Sequence, residues 1–308
     1  MSARAADSVV RARNLHVGCL LTLGGVAAFS SKGVFAKLAY PHGVDPITLM
    51  VLRMSLAMPL FWLLLFRVRQ PVRGWQPADG WRLLWAGLVG YYLAQLLDLV
   101  ALQTVSATLG RLILFTYPCF VVLLMALADR RWLSRRTVLL LALCYCGLAA
   151  ALLGGGFEQL VATWAGVLMM LVSAFLFATY YVVAGDLSGK LGTVRFSAIV
   201  MTLAGSAVIV HYLLLKPVSE LFSQPLAVYG YAASLAIVAT VLPLLLVVEG
   251  LRRVGTQTSA VLNLAGPGFT FLLAWLLLGE RLQLLQWVGF AVVLAGAWSL
   301  SRPAGTDT

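Results

Sequence analysis

Three charged side chains with polar neighbours lie inside long apolar segments of this chain. Tyr91, Gln95 and Asp98 follow i, i+4, i+7 spacing, so they share one face of a helix. Lys32 and Arg111 lie in neighbouring apolar segments. A charge within a bilayer is costly unless it faces a partner or a cavity. We therefore expect Asp98 to pair with Lys32 or Arg111.

Three interpretations of this charged group remain open. The pair holds two helices together as a fixed strut, or it borders an outward-open path and meets the amino or carboxylate group of a substrate. In the third interpretation, Lys32, Arg53 or Arg111 extends to the lipid headgroups instead.

A second group of candidates lies towards the end of the chain. Asn263 is an amide within its apolar segment, and it either hydrogen-bonds a ligand or bridges two helices. Tyr180 lies on an aromatic stripe that either packs or faces a ligand. The prolines indicate helix breaks that would act as hinges, at Pro118 and at Gly266, Pro267 and Gly268.

Other chemistries have little support in the sequence. The three histidines are scattered and form no metal-binding spacing, and neither a GxSxG elbow nor a GxxxxGK[ST] loop occurs. The four cysteines lie in apolar segments without CxxC spacing. We predict no catalytic residue, no metal and no cofactor.

Composition places these residues in a membrane. The 308 residues are 61% hydrophobic and 11% charged, whereas soluble domains carry about 25% charged residues. The net charge of +11 resides mainly in short loops, so we expect a lipid bilayer and no nucleic acid as a partner. Ten apolar segments are long enough to span the bilayer: 16–39, 46–66, 81–103, 106–127, 137–154, 163–185, 196–215, 227–250, 256–278 and 284–301.

The second half of the chain repeats the first. Residues such as Leu102, Pro118 and Gly147 recur 149 positions later as identical residues. Five spans per half is an odd number, so the second copy enters the bilayer upside down. Inverted repeats with broken helices are typical of secondary transporters. The predicted fold is an all-α integral membrane protein with ten transmembrane helices in two inverted five-helix repeats.

The distribution of Lys and Arg predicts the orientation. Sixteen lie on the side of the N-terminus and three on the other, which places both termini in the cytoplasm. The predicted division is a cytoplasmic N-terminal tail, a first repeat, an outer linker, a second repeat and a cytoplasmic C-terminal tail: 1–15, 16–154, 155–162, 163–301 and 302–308.

Two sequence segments resemble one membrane-protein family. The first runs Ala101-Leu-Gln-Thr-Val-Ser-Ala-Thr-Leu-Gly, then Tyr117-Pro118, with Asp129 near its end. The second runs from Gly250 through Gly266-Pro267 to Gly279-Glu280. In this doubled pattern the chain resembles the drug/metabolite transporter superfamily, EamA type. Members of this family usually have an acidic residue at the end of this helix. Glu280 matches that position in the second segment, whereas Asp129 in the first segment lies somewhat away from it.

The resemblance implies a function and an arrangement. It implies a secondary transporter in the cytoplasmic (inner) membrane that exports small molecules, many of them amino acids, by alternating access. It also implies a cavity lined by helices 1, 3, 4, 6, 8 and 9, with 5 and 10 peripheral. We expect apolar and aromatic amino acids as substrates; efflux of drugs or lipophilic cations is the alternative, followed by an intramembrane enzyme. The oligomeric state is left open.

Overall fold

A computed structural model describes residues 3–67, 72, 74–128, 130, 132–154, 156–263 and 265–301. In this part of the chain, every regular element is helical. The α-helices are α1 (Ala3–Ser30), α2 (Lys32–Ala39), α3 (Pro46–Arg67), α4 (Pro77–Trp85), α5 (Ala94–Ala101), α6 (Ala107–Leu114), α7 (Tyr117–Ala128), α8 (Arg135–Leu153), α9 (Phe157–Leu191), α10 (Thr193–Leu215), α11 (Ser219–Phe222), α12 (Leu226–Ala236), α13 (Leu242–Asn263), α14 (Gly266–Leu278) and α15 (Leu284–Ser301).

Within the described residues, eight helical segments are long and apolar enough to cross a membrane. They are Leu15–His42, Pro46–Phe66, Pro77–Ala101, Ala107–Ala128, Arg135–Leu153, Val161–Leu191, Thr193–Leu215 and Leu226–Val247. These correspond to the first eight predicted spans. Two shorter apolar helices, Gly266–Leu278 and Leu284–Gly296, lie within the ninth and tenth.

The loop predicted between spans eight and nine is helical instead. α13 continues through residues 251–255, where the sequence predicted a connection. The chain nevertheless reverses here. A Cβ on Gly25 would lie 2.7 Å from Val247, and one on Gly266 would lie 3.5 Å from Val26. A straight helix would separate residues 247 and 266 by about 28 Å, so the reversal lies within or directly after α13.

Three spans are broken near their middle. α1 and α2 meet at Ser31, α6 and α7 are separated by Phe115 and Thr116, and Ala265 precedes α14. Pro118 and Pro267 are each the second residue of the helix that follows the break. Proline is tolerated in a first turn, because its missing N–H has no intrahelical acceptor there.

Two π-helical segments interrupt the third and eighth spans. They cover Ala86–Leu93 and Ile237–Val241, and Tyr91 in one lies 149 residues before Thr240 in the other. Such wide turns are frequent at functional sites. The repeat in sequence is thus accompanied by a repeated irregularity of the backbone.

Helices α8 and α15 pack against each other through small residues. A Cβ on Gly147 would lie 2.7 Å from Val292, so only glycine permits this approach. Neither helix contributes a residue to the central cavity described below. Spans five and ten are peripheral in this respect.

Helices extend into two segments that the sequence analysis placed outside the membrane spans, the N-terminal tail and the linker between the repeats. Residues 3–15 of the expected N-terminal tail belong to α1. α9 begins at Phe157, so most of the expected linker is helical. Between α9 and α10 a single residue, Gly192, turns the chain with φ of 81°, a conformation that favours glycine. The expected C-terminal tail, 302–308, lies outside the described residues.

Candidate functional site

A cavity of about 240 Å³ lies in the middle of the helix bundle. Its lining comes from α1, α3, α6, α7, α9, α10 and α13, and from both π-helical segments. Each sequence repeat therefore supplies part of the same cavity. The helix breaks next to Phe115 and Gly266 border this space, since Phe115 lines it and Gly266 lies beside Arg111 in its wall.

Four of the seven predicted binding residues line the cavity. They are Tyr91, Arg111, Tyr180 and Asn263. Lys32, Gln95 and Asp98 do not line it but form a buried cluster beside it. The sequence analysis assigned all seven to one binding site. In the structure, four line the cavity and three belong to the adjacent buried cluster.

The buried cluster connects four helical segments through one amide and one hydroxyl. Lys32 donates to a carboxylate oxygen of Asp98 and, at 3.3 Å, to Gln95 Oε1. Arg53 donates to the same amide oxygen at 3.1 Å, and through Nε and a terminal nitrogen to Thr240 Oγ1 at 3.0 and 2.9 Å. The two cations thus share the Gln95 amide oxygen, and of the two only Lys32 contacts the Asp98 carboxylate.

The structure shows which of the two predicted cations, Lys32 or Arg111, pairs with Asp98. Lys32 is the partner, and no ion pair joins Asp98 to Arg111 in the described residues. Lys32 and Arg53 are 4% and 1% exposed, so the interpretation that they extend to the lipid headgroups is wrong. In this conformation the Lys32–Asp98 pair is buried and does not face an open vestibule.

Arg111 faces the cavity instead. Its guanidinium carbon lies 4.8 Å from the centroid of the Phe29 ring, within the range of a cation–π contact. Its Nε is buried and has no hydrogen-bond partner among the described residues. A Cβ on Gly266 would lie 3.0 Å from a terminal nitrogen of Arg111, so glycine leaves room for the side chain.

The breaks of the first and ninth spans are hydrogen-bonded to each other. The Ser30 hydroxyl donates to the Gly266 carbonyl at 2.9 Å, and the Thr270 hydroxyl donates to the Ser30 carbonyl at 3.1 Å. At the break of the fourth span, the Thr116 hydroxyl donates to the Ile113 carbonyl at 2.7 Å. The bonds from Ser30 and Thr270 link the two breaks, while the Ile113 carbonyl also accepts the Thr116 backbone N–H.

Aromatic rings form much of the cavity wall. Tyr117 stacks on Tyr181 with ring centroids 4.6 Å apart, and Phe177 stacks on Tyr180 at 5.6 Å. Tyr91 meets Tyr180 edge-on at 5.8 Å. A planar apolar group would find complementary surfaces here.

Sequence reasoning missed several lining residues, among them Phe29, Tyr181 and Thr240. The repeat contains a signal for two of them. Phe29 lies 148 residues before Phe177, and Tyr91 lies 149 residues before Thr240. The internal offset would thus have paired residues across the cavity.

The sequence also matches the model of a known protein family. The EamA-like transporter family model matches residues 16–153 and again residues 164–302. This chain belongs to the EamA-like transporter family. The resemblance seen in the sequence is confirmed, and the chain is a multi-pass membrane transporter.

Relatives of this EamA-like transporter carry the same general description. An uncharacterized transporter, YcbK, from Bacillus subtilis (strain 168) is 35% identical over 288 residues, which is 92% of each chain. An uncharacterized transporter from Archaeoglobus fulgidus is 26% identical over 203 residues, covering 65% of this chain and 70% of the relative. One solved crystal structure has 19% identity and a TM-score of 0.59, covering 91% of this chain and 94% of the other; this likeness concerns the fold alone.

Polar contacts link helices of the EamA-like bundle at the end that carries Glu280. The Glu280 carboxylate accepts from the backbone N–H groups of Ala107 and Thr108 at 2.7 and 3.0 Å, and from the Thr108 hydroxyl at 2.7 Å. A carboxylate at the N-terminus of α6 is favoured by the free N–H groups and the helix dipole. This family-type acidic residue joins the end of the ninth span to the start of the fourth.

A second contact links connections between spans. Lys216 Nζ, just after α10, donates to Asp45 at 2.8 Å and to Glu220 at 3.0 Å. Partial burial alone would raise the pKa of Asp45, but hydrogen bonds from Lys216 and Thr48 outweigh it and hold that pKa below its usual range. The bonds to Asp45 and Glu220 raise the pKa of Lys216.

The opposite end has its own charged network. Asp79, at the start of α4, accepts from Lys190 at 3.0 Å and from Arg82 at 3.2 Å. Arg82 also pairs with Asp186 at 2.5 Å. This network joins the start of the third span to the end of the sixth.

Proposed function

We propose that this transporter exports apolar and aromatic amino acids, or related small metabolites, across the cytoplasmic membrane by alternating access. The observation that carries the proposal is one cavity, lined by both sequence repeats and bordered by broken helices. Central sites between repeats, formed where helices are interrupted, are typical of secondary transporters.

The size of the cavity supports a small substrate. Pockets for drug-sized ligands occupy about 300–1,000 Å³. The cavity here is about 240 Å³, which suits a metabolite of amino-acid size better than a bulky drug. The aromatic wall adds a preference for apolar or planar side chains.

The architecture in this proposal is ten spans in two inverted repeats, 16–154 and 163–301, in the inner membrane. The reversal between residues 247 and 266 supports a ninth span that returns through the bundle. The repeated π-helical segments and proline-associated breaks support two related halves. With both termini in the cytoplasm, the end that carries Glu280 faces outwards.

The proposed roles of the residues follow their positions. Tyr91, Arg111, Tyr180 and Asn263 contact the substrate from the cavity wall. Behind this wall, a set of paired residues holds the helices and borders the path: Lys32, Gln95 and Asp98. The hinge residues lie at the two breaks and let the half-helices tilt: Pro118, Gly266, Pro267 and Gly268.

The contacts at the ends support a conformation closed to the outside. The Glu280 carboxylate joins the fourth and ninth spans at that end, and the Lys32–Asp98 pair seals the bundle beneath it. Export would require both contacts to open in the alternate conformation. A substrate that stabilises the alternate state would shift the population towards it.

Efflux of lipophilic cations is the second candidate, because stacked aromatic rings attract cations. The rings of Tyr117, Tyr181 and Tyr180 favour it. The charge of Arg111 opposes it, and none of the described lining residues is Asp or Glu.

Reconstitution separates the two candidates. Purified protein in proteoliposomes preloaded with L-phenylalanine or L-leucine should accumulate the labelled amino acid by counterflow, with and without a pH gradient. Protein-free liposomes and liposomes with heat-denatured protein are the controls. Counterflow of tetraphenylphosphonium without counterflow of any amino acid would establish the second candidate and reject export of amino acids.

A further inference from the structure

The cavity contains a cation whose charge no lining carboxylate offsets. Arg111 is the only Lys or Arg among the described lining residues, which include no Asp or Glu. Asp98 borders a smaller neighbouring space together with Arg111, but its carboxylate is engaged by Lys32. The guanidinium is held by the Phe29 ring, and its Nε lacks a partner within the described part of the chain.

Three other described carboxylates near the bundle ends are also engaged. Glu280 accepts from α6, Asp45 from Lys216, and Asp79 from Lys190. None of them is among the lining residues. An unneutralised guanidinium inside a membrane bundle is costly, so an anionic group that enters the cavity gains a strong and specific interaction.

The residues around Arg111 restrict the chemistry of the ligand beyond its anionic group. Stacked rings face the same space, and the polar lining groups are neutral. Besides Arg111, those groups are one amide, at Asn263, and hydroxyls, at Ser197, Thr240, Tyr91, Tyr117, Tyr180 and Tyr181. The site thus offers one anion-binding group, an apolar aromatic surface and no carboxylate to pair with an ammonium group.

We propose that Arg111 binds the carboxylate of the substrate, and that the cavity selects aromatic or apolar monocarboxylates whether or not they carry an α-amino group. This inference rests on the proposed function and specifies its substrate class. The planar guanidinium binds carboxylates through two parallel hydrogen bonds, and it is already fixed by its contact with Phe29. The aromatic wall receives the side chain.

Three related ligands test the proposal on the purified full-length protein. L-phenylalanine carries both charged groups, 3-phenylpropionate lacks the amine, and phenethylamine lacks the carboxylate. Ligands that bind the folded state raise its melting temperature. At pH 7 we expect stabilisation by the first two and none by phenethylamine. Equal or greater stabilisation by phenethylamine would overturn the proposal, as would a lack of stabilisation by all three.

Variants locate the contact. A hydrogen bond that involves a charged group is worth about 1.5–3 kcal/mol, which predicts roughly 10- to 100-fold weaker binding of 3-phenylpropionate by Arg111→Gln. Arg111→Lys keeps the positive charge but cannot form the two parallel hydrogen bonds of a guanidinium. It should lose less affinity for 3-phenylpropionate than Arg111→Gln. Arg281→Gln, at an exposed arginine outside the cavity, is the matched control and should bind normally. Unchanged binding by Arg111→Gln would reject the role of Arg111; if that variant does not fold, the comparison of the three ligands on the unmodified protein still decides the charge preference.

Failure of the two proposals is distinguishable. Counterflow of L-phenylalanine together with tight binding of phenethylamine would keep amino-acid export and reject carboxylate selection. Arg111-dependent binding of 3-phenylpropionate without amino-acid counterflow would keep carboxylate selection and reject amino-acid export.

Discussion

At the scale of single residues, the buried cluster of Lys32, Arg53, Gln95 and Asp98 contains more positive than negative charge. The amide oxygen of Gln95 accepts from both cations, and the Thr240 hydroxyl accepts twice from Arg53. Such acceptors reduce the cost of burying the second cation. The carboxylate of Asp98 remains the only negative charge in this cluster, so the cluster depends on it.

Replacement of Asp98 should therefore be strongly destabilising. Asp98→Asn leaves the ammonium group of Lys32 buried without its counter-ion, and loss of one partner of a buried pair costs about 3–5 kcal/mol. The double variant Lys32→Gln with Asp98→Asn should regain most of the lost stability. Thermal unfolding in detergent measures both effects.

The control for this experiment is Asp98→Asn with Arg111→Gln. It should regain less stability than the Lys32 double variant, because Lys32 and not Arg111 forms the ion pair with Asp98 in the described structure. Restored folding with restored transport in the Lys32 double variant indicates a structural strut. Restored folding without transport indicates that the charges act in the transport cycle. Intact folding and transport in Asp98→Asn alone would contradict the burial of the pair.

At the scale of elements, interrupted helices determine where polar groups become available in the bundle. The breaks near Ser31, Thr116 and Ala265 lie beside one another or beside the cavity. Serine and threonine hydroxyls donate to backbone carbonyls at these breaks and link the first span to the ninth. Half-helices joined at such points can tilt with little change to their own hydrogen bonds.

Pro118 and Pro267 should affect transport more than stability. Each lies in the first turn of its helix, so alanine in its place does not remove a backbone hydrogen bond. We expect Pro118→Ala and Pro267→Ala to change stability by less than about 1 kcal/mol and to slow counterflow. Size-exclusion chromatography and transport per folded molecule are the measurements. Aggregation with normal transport in the folded fraction would show that both prolines are only structural bends.

The Asp45–Lys216 contact should stabilise the bundle across the neutral range. The lowered pKa of Asp45 means that this stabilisation is present above pH about 4 and is lost as the pH falls through the lowered value. The raised pKa of Lys216 means that it persists until the pH rises through that value, above about 10. Both side chains are about one-third exposed, so we expect less than about 1 kcal/mol.

Melting temperatures of the unmodified protein and Asp45→Asn test this dependence. Their difference should be constant between pH 5 and 9 and should shrink below about pH 4. The variant Glu158→Gln, at an exposed acidic residue, serves as a comparison for general charge effects. A difference that grows below pH 4 would contradict the assigned contact.

At the scale of the whole molecule, the two repeats have similar backbones and different chemistry. Gln95, Asp98 and Arg111 of the first repeat lie 149 residues before Leu244, Val247 and Ala260. The charged half of the site thus has an apolar counterpart. In the proposed inverted arrangement, this difference places the charges nearer one membrane surface than the other.

The position of the C-terminus tests the inverted arrangement. The asymmetry of Lys and Arg predicts that residue 308 is cytoplasmic. A reporter that is active only in the cytoplasm, fused after Thr308, should be active, and a reporter that requires the periplasm should be inactive there. The opposite pair of activities would overturn both the topology and the inverted repeat.

Much of this protein followed from its sequence alone. The apolar composition requires a bilayer, the repeat and its prolines indicate related halves with broken helices, and charges in apolar segments require partners. These properties depend on composition and on the spacing of residues along the chain, and both can be determined without knowing which helices pack together.

Only the tertiary structure decided which groups meet. Lys32 and Arg111 were both possible partners of Asp98, because spacing assigns a residue to a helix face but does not set how helices rotate against each other. Packing turns Lys32 towards Asp98 and Arg111 towards the cavity. Thr240 becomes an acceptor for Arg53 and α13 replaces a predicted loop for the same reason: both depend on contacts between residues far apart in the chain.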